Sequence, residues 1–67
     1  MKIKLNNNQE SFSVNKLTVT DLLKQKNFTF KMLIVKINGQ LVRKTDYDSA
    51  EVSDGDDVMV LHLISGG

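Results

Sequence analysis

The chain has 67 residues with a net charge of +1, of which 40% are hydrophobic and 25% charged, and it contains no cysteine. This composition is typical of one small soluble domain, and it excludes disulfides, zinc thiolates and thiol catalysis. Because there is no basic excess, we expect neither a nucleic-acid partner nor a membrane-surface partner.

The size of the chain and its N-terminal residues further limit the class of protein to which it can belong. A domain this small has little room for a deep pocket beside its core, which argues for a binding or carrier protein and against a self-contained enzyme. The apolar run Met32–Val35 is far shorter than the ~20 residues that span a bilayer. The first residues, MKIKLN, alternate lysine with aliphatic residues and do not form a secretory signal. We therefore expect a cytoplasmic protein.

The N-terminal residues predict a β-hairpin. Met1–Asn6 alternates in the manner of a half-buried strand. Asn6–Gln9 has the composition of a turn, since asparagine tolerates left-handed backbone. Glu10–Val14 then alternates again and is predicted to be the second strand, with Phe12 and Val14 on one face.

A helix is predicted next. Thr18 and Asp21 have the spacing of a capping box, and the apolar residues that follow fall at helical intervals. The helix is predicted over Thr20–Lys26, and Asn27 is expected to end it. Phe28 and Phe30 are predicted to be core residues.

The second half of the chain predicts two more strands, a short return strand and a loop. Asn38-Gly39 is a strong hairpin signal, because a type I′ turn needs positive φ at both central residues. The predicted strands are an interior strand at Met32–Asn38, a short strand at Gln40–Arg43 and a final strand at Asp57–Ile64. Between the last two lies a polar irregular segment, Lys44–Asp57, in which Val52 is expected to be an anchor and Ser53–Asp56 a turn.

These elements predict an α+β fold. A single helix covers one face of a sheet of four to five strands. The final strand is the most apolar and is best placed in the middle, parallel to the first strand, which makes the sheet mixed. This arrangement is the β-grasp, or ubiquitin-like, fold. We expect the domain to span residues 1–64 and a flexible tail to span residues 65–67.

The last strand predicts an apolar docking face. If Val58 and Val60 point toward the helix, alternate residues point to the uncovered face, where exposed apolar side chains mark interfaces. The predicted docking residues are Met59, Leu61, Leu63 and Ile64. The alternative is that the loop Lys44–Ser53 folds over this face and buries it.

Other candidate sites are weak. Asp54, Asp56 and Asp57 do not have the spacing of an EF-hand, and a solvated turn is the better interpretation of this acidic cluster. His62 is the one histidine and has no partner motif for acid–base or nucleophilic catalysis. The glycines form no phosphate-binding pattern. We therefore predict no metal site and no catalytic residue.

The sequence resembles a known family. The resemblance rests on the small size, on Val-x-Ile-Asn-Gly at Val35–Gly39, on Asp-Gly-Asp at Asp54–Asp56 before an apolar strand, and on the terminal Gly66-Gly67. Together these features resemble the ThiS family, the sulfur carriers of thiamine biosynthesis. Members often carry a proline in the short strand after the Asn-Gly turn, whereas this chain has Leu41-Val42-Arg43-Lys44.

The resemblance implies a chemistry for the C-terminus. In the family, an E1-like adenylyltransferase uses ATP and magnesium to convert the terminal carboxylate into an acyl-adenylate. A persulfide sulfur donor then gives a thiocarboxylate, and thiazole synthase takes that sulfur. By this resemblance Gly67 is the attachment site, and Ser65, Gly66 and Gly67 thread into partner active sites. The chain itself would bind no cofactor and would act as a co-substrate rather than an enzyme.

Other functions remain open from the sequence. The chain could be the small subunit of molybdopterin synthase or a sulfur carrier of another pathway. It could be a protein modifier that forms isopeptide bonds through Gly67, or a β-grasp interaction module whose tail is idle.

Overall fold

The computed structural model describes residues 1–28 and 33–62. Within these residues there are seven strands, one α-helix and one short 3₁₀ helix. The strands are β1 (Lys2–Leu5), β2 (Asn8–Ser11), β3 (Lys16–Thr18), β4 (Leu33–Ile37), β5 (Gln40–Val42), β6 (Glu51–Ser53) and β7 (Asp57–His62), the helix α1 is Val19–Gln25, and the 3₁₀ helix is Lys44–Asp46.

The main sheet has five strands in the order β2-β1-β7-β4-β5. The strand β7 lies in its middle, parallel to β1 and antiparallel to β4. The predicted mixed sheet and the central position of the last strand are therefore confirmed. With α1 packed on one face, this is the β-grasp fold.

The helix α1 begins where the capping residues predict. The Thr18 hydroxyl accepts a hydrogen bond from the Asp21 backbone N–H at 3.1 Å, which satisfies one of the unpaired donors of the first turn. Asn27 follows the helix with a φ of 57° and ends it, because asparagine tolerates the left-handed conformation at a helix C-terminus. The helix is one residue earlier at each end than predicted.

The core lies between α1, the main sheet and the small sheet. Its centre is aliphatic, and Val19 and Leu22 of the helix are fully buried in it. Phe28 packs against this core as predicted, whereas Phe30 lies outside the described residues. The buried residues are Ile3, Leu5, Leu17, Val19, Leu22, Val35, Val52, Val58 and Val60.

The first hairpin is tighter than predicted. Asn6 and Asn7 have φ values of 50° and 68° and form the turn by themselves. Because this turn needs only two residues, β2 starts at Asn8 and ends at Ser11. The predicted strand Glu10–Val14 is therefore wrong in its bounds, and Val14 is 40% exposed after the strand has ended.

The predicted irregular segment contains regular structure. The strand β6 pairs antiparallel with β3 to form a small second sheet, with Leu17 opposite Val52. Val52 is fully buried, so its predicted role as an anchor is confirmed. The sequence did not reveal β3 and β6 because each has only three residues, too few to show a period.

The second hairpin agrees with its prediction. Asn38 and Gly39 have φ values of 52° and 82°, as a type I′ turn requires. They join β4 to β5, and Ile37 faces Gln40 across the turn. Met32, at the predicted start of β4, lies outside the described residues.

Candidate docking face

Side chains of β7 alternate between the core and the opposite face of the sheet. Val58 and Val60 are 0% and 6% exposed and belong to the core. Met59 is partly exposed and Leu61 is 42% exposed. Since successive side chains of a strand point to opposite faces, Met59 and Leu61 lie on the face turned away from α1. We call this the open face, and the predicted orientations of these four residues agree with it.

The register of the sheet adds two apolar residues and one lysine to the same face. Leu61 lies opposite Ile34 of β4, and Met59 lies opposite Lys36. Lys36 in turn lies opposite Leu41 of β5, whose side chain is 63% exposed. Paired residues share a face, so the apolar side chains surround a lysine. We call Ile34, Leu41, Met59 and Leu61 the apolar patch.

Ile34 and Leu41 were not predicted as docking residues. The signal was present in the Asn-Gly turn, because a two-residue turn fixes the register of the hairpin. That register places Leu41 opposite Lys36 and therefore on the open face. The alternation of β4 then adds Ile34.

The loop between β5 and β7 does not cover the open face. Its residues Tyr47 and Ala50 accept hydrogen bonds through their carbonyls from the N–H groups of Thr20 and Val19, at 3.0 and 2.9 Å. The Thr20 hydroxyl donates to the carboxylate of Asp48. The loop therefore caps the start of α1 and stays on the helix side. For Met59 and Leu61, the alternative in which residues 44–53 bury the docking face is therefore wrong, whereas Leu63 and Ile64 lie outside the described residues.

The side chain of Asn6, which precedes Val60 by 54 residues in the sequence, holds the second half of β7 in place. The Asn6 side-chain amide accepts from the Val60 N–H at 2.7 Å and donates to the Val60 carbonyl at 3.1 Å. The Asn6 backbone N–H also donates to the Val58 carbonyl at 2.9 Å. Asn6 thus extends the β1–β7 ladder beyond the end of β1 and fixes the strand that carries Met59 and Leu61.

The acidic cluster before β7 is a hydrogen-bonded junction. Asp54 accepts from the Lys2 N–H at 2.6 Å, and Asp56 accepts from the Ser53 N–H at 2.8 Å. The Asn38 side chain donates to Asp56 at 3.1 Å and accepts from the Asp57 N–H at 2.9 Å. These bonds join the start of β1, the β4–β5 turn and the entrance to β7.

This junction gives Asp54 and Asp56 a structural role. At least one oxygen of Asp54 and both side-chain oxygens of Asp56 accept hydrogen bonds. In the part of the chain that the structure describes, no group of three or more His, Asp or Glu residues has a geometry that could hold a metal ion. The sequence did not reveal that Asn38 and Asp56 contact each other, because they come from separate motifs.

The remaining predicted site residues follow β7. His62 is the last residue of the described strand, and its backbone lies opposite Leu33. Leu63, Ile64, Ser65, Gly66 and Gly67 lie outside the described residues. The predicted attachment site and the predicted boundary at residue 64 therefore stay predictions.

Comparison with known proteins identifies the family to which this sheet and its motifs belong. The model of the ThiS family matches residues 3–67. The chain belongs to the ThiS family. Its predicted resemblance is therefore confirmed, and family membership supports a sulfur-carrier role in thiamine biosynthesis.

Solved structures show the same architecture. The crystal structure of the thiamine biosynthesis protein ThiS from Geobacter metallireducens has a TM-score of 0.89 at 28% sequence identity, with 100% of both chains covered. The NMR solution structure of a thiamine biosynthesis protein from Geobacter metallireducens has a TM-score of 0.81 at 28% identity and covers 100% of this chain and 88% of that one. The uncharacterized protein ycf40 of Trieres chinensis is 25% identical over 61 residues, which are 91% of this chain and 84% of that protein.

The helices give no indication of a membrane span. Among residues 1–28 and 33–62, no helix has both the length and the apolar character needed to cross a bilayer.

Proposed function

We propose that this protein carries sulfur on the carboxylate of Gly67 and delivers it to thiazole formation in thiamine biosynthesis. The observation that carries the proposal is the ThiS-family match, which runs through residue 67 and so includes Gly66-Gly67. In this role the chain is a co-substrate, and its partner enzymes supply the catalysis.

The proposed activation makes an unreactive carboxylate accept sulfur. An E1-like adenylyltransferase with ATP and magnesium forms the acyl-adenylate of Gly67 and releases pyrophosphate. The terminal sulfur of a persulfide donor attacks the acyl carbon, and AMP leaves. A thiol then reduces the acyl disulfide, which leaves the thiocarboxylate on Gly67 and a disulfide on the donor side. Thiazole synthase accepts the sulfur from this thiocarboxylate.

The chain's own residues suit a carrier that meets more than one enzyme. Met59 and Leu61 of the apolar patch lie on β7, the strand that leads toward the tail. Methionine is flexible and polarizable, so it adapts to different partner surfaces. Gly66 and Gly67 have no Cβ, so this part of the chain can pass through a narrow channel to a buried site. We propose that the apolar patch, together with Leu63 and Ile64, docks while Ser65, Gly66 and Gly67 thread.

The absence of cysteine is consistent with this mechanism. The chain contains no thiol of its own, so it has no internal cysteine that could hold the sulfur as a persulfide. The proposed cargo therefore travels only on the C-terminal carboxylate.

The decisive experiment measures the mass of the intact protein. The full chain is incubated with the cognate adenylyltransferase, ATP, magnesium and a persulfide donor in the presence of a thiol. The expected product is heavier by the difference between one sulfur and one oxygen atom, and fragmentation maps the change to Gly67. A chain with one residue appended after Gly67 should not react, and Gly66→Val should react slowly because its branched side chain obstructs the channel.

Two results would contradict the proposal. If active enzymes leave the full chain unmodified, an interaction module with an idle tail becomes the better interpretation. If the appended chain reacts as fast as the parent, the modified atom is not the Gly67 carboxyl carbon.

A further inference from the structure

The turn between β4 and β5 contains a dipeptide that is chemically reactive. Asn38 and Gly39 are both exposed, and asparagine is one of the thermolabile residues of proteins. In deamidation, the backbone nitrogen of the next residue attacks the asparagine side chain. Gly39 leaves that approach open, because it has no Cβ and a Cβ built there would meet nothing within 4 Å. The chain has no other Asn-Gly dipeptide.

The Asn38 side chain is held against the entrance to β7. Its Oδ1 accepts a hydrogen bond from the Asp57 N–H at 2.9 Å, and its Nδ2 donates to the Asp56 carboxylate at 3.1 Å. The backbone N–H of Asn38 also donates to the Asp57 carbonyl at 2.7 Å. Because the N–H group needs an acceptor and the carboxylate needs a donor, the two neighbours fix the orientation of the amide.

These contacts oppose deamidation. The reaction starts when the Gly39 nitrogen, after losing its proton to a solvent base, bonds to Cγ of Asn38. Cγ has to leave its position beside Asp56 and Asp57 to meet that nitrogen, so both side-chain hydrogen bonds break first. Exposed turns open locally at a lower free energy than global unfolding requires. The hydrogen bonds of Asn38 therefore determine how often the reactive conformation forms.

We propose that Asn38 is a modification site, at which deamidation occurs after the hydrogen bonds to Asp56 and Asp57 have opened. A bond forms between the Gly39 nitrogen and Cγ, the Cγ–Nδ2 bond breaks, and ammonia leaves, which gives a cyclic imide. Water then opens the imide at one of its two carbonyls and leaves aspartate or isoaspartate at position 38. The overall reaction consumes one water, releases one ammonia and needs no oxidant.

The modified chain cannot rebuild the same contacts. A carboxylate at position 38 still accepts from the Asp57 N–H, but it has no donor for Asp56, and two neighbouring carboxylates disfavour each other's charge. In the isoaspartate form the backbone also gains one methylene carbon, whereas a type I′ turn fixes the hairpin register through its two residues. That register places Leu41 in the apolar patch. The modification should therefore lower stability and disturb the patch.

The test compares deamidation rates at position 38 in folded chains. The variant Asp56→Ala removes the acceptor of the Asn38 amide. The matched control, Asp54→Ala, removes a nearby carboxylate whose hydrogen bond comes from the Lys2 N–H. Each protein is incubated in mildly alkaline buffer below its own melting temperature, which circular dichroism establishes. Peptide mass spectrometry locates the replacement of the amide NH₂ by OH, and an isoaspartyl methyltransferase counts isoaspartate.

The variant Asp56→Ala should deamidate at Asn38 about tenfold faster than the parent, since one hydrogen bond to a charged group no longer has to be broken. The control Asp54→Ala should react at a rate close to that of the parent. In urea that unfolds the chain, all three proteins should react at one common and faster rate. The deamidated parent, separated by ion exchange, should melt at a lower temperature than the unmodified fraction.

A second variant, Asp56→Asn, serves if Asp56→Ala does not fold. It has one acceptor oxygen for two donors, the Ser53 N–H and the Asn38 amide, so it should also react faster than the parent. Three results would overturn the proposal. The folded parent could react as fast as the chain in urea, Asp54→Ala could accelerate the reaction as much as the position-56 variants, or the modification could map to another asparagine.

Discussion

Asn6 connects two segments of the chain that are 54 residues apart. Its side chain makes two hydrogen bonds to the backbone of Val60, in a partly buried position. Asn6→Ala should lower the free energy of unfolding by about 1–3 kcal/mol more than Asn7→Ala, since a net hydrogen bond contributes roughly 0.5–1.5 kcal/mol. Urea denaturation of both variants measures this difference.

Asn7 is a matched control because it has the same side chain and a φ of 68°, close to the 50° of Asn6. Both alanine variants therefore incur a similar cost for left-handed backbone, and the comparison isolates the side-chain bonds. Equal losses of stability would show that the Asn6 amide contributes nothing beyond its conformation.

Position 55 requires glycine because of its backbone conformation, and not because neighbouring atoms would collide with a Cβ atom. Its φ is 87°, and a Cβ built on it would meet nothing within 4 Å. Gly55→Val should therefore cost only the penalty for left-handed backbone, about 1–2 kcal/mol. In a domain of this size that corresponds to a fall in Tm of very roughly 4–16 °C.

Asparagine tolerates this conformation better than valine does. Gly55→Asn should accordingly melt at a temperature between those of the parent and Gly55→Val. A Gly55→Val protein as stable as the parent would show that the turn can adopt another conformation at no cost.

Single residues were predictable where the cause was local. The positive φ of Gly39 followed from the Asn-Gly dipeptide, the turn that contains Gly55 followed from its composition, and the cap at Thr18 followed from its spacing to Asp21. The hydrogen bonds between the Asn6 side chain and Val60, and the contact between Asn38 and Asp56, were not predictable. Each depends on a register between distant strands, and no local pattern encodes that.

The strand β7 has two faces with different roles. Val60 is 6% exposed and Leu61 is 42% exposed. Val60→Asp places an unpaired charge in the core and should cost about 3–5 kcal/mol, the penalty typical of an uncompensated buried charge. A protein of 67 residues has roughly 3–10 kcal/mol of stability, so this variant should unfold largely or completely.

Leu61→Asp should change the free energy of unfolding by no more than about 0.5 kcal/mol, as expected for a surface position. Its binding to the adenylyltransferase should nevertheless weaken strongly, because the new carboxylate lies in the apolar patch. Urea denaturation and a binding titration on the same preparation check both effects. If Leu61→Asp unfolds as readily as Val60→Asp, the assignment of the two faces is incorrect.

Elements with a clear period were predicted, and short ones were not. The strands β1, β4 and β7, the helix α1 and the β4–β5 hairpin agree with prediction within a few residues. The strand β2 was shifted because the turn before it needs two asparagines rather than four polar residues. The strands β3 and β6 each bury one core residue, Leu17 and Val52, and one apolar residue among polar neighbours resembles a loop.

The fold and the proposed chemistry use different parts of the chain. The core residues that the structure describes all lie between Ile3 and Val60. Deleting Gly66 and Gly67 should therefore keep the free energy of unfolding within about 0.5 kcal/mol of the parent value. The same deletion should abolish sulfur loading. A thermal melt and the mass measurement on one preparation check both effects, and a large loss of stability would show that these glycines support the fold.

The central position of β7 also governs when the protein can fold during its synthesis. The strand pairs with β1 and with β4, both of which are made before it. Until the ribosome has released residues near 60, β1 and β4 have no strand between them, and Val58 and Val60 are missing from the core. Nascent and prematurely terminated chains therefore lack both a completed sheet and the Met59–Leu61 surface. Only chains translated past about residue 60 can therefore present the docking face, so chains that stop earlier lack the surface on which the proposed docking depends.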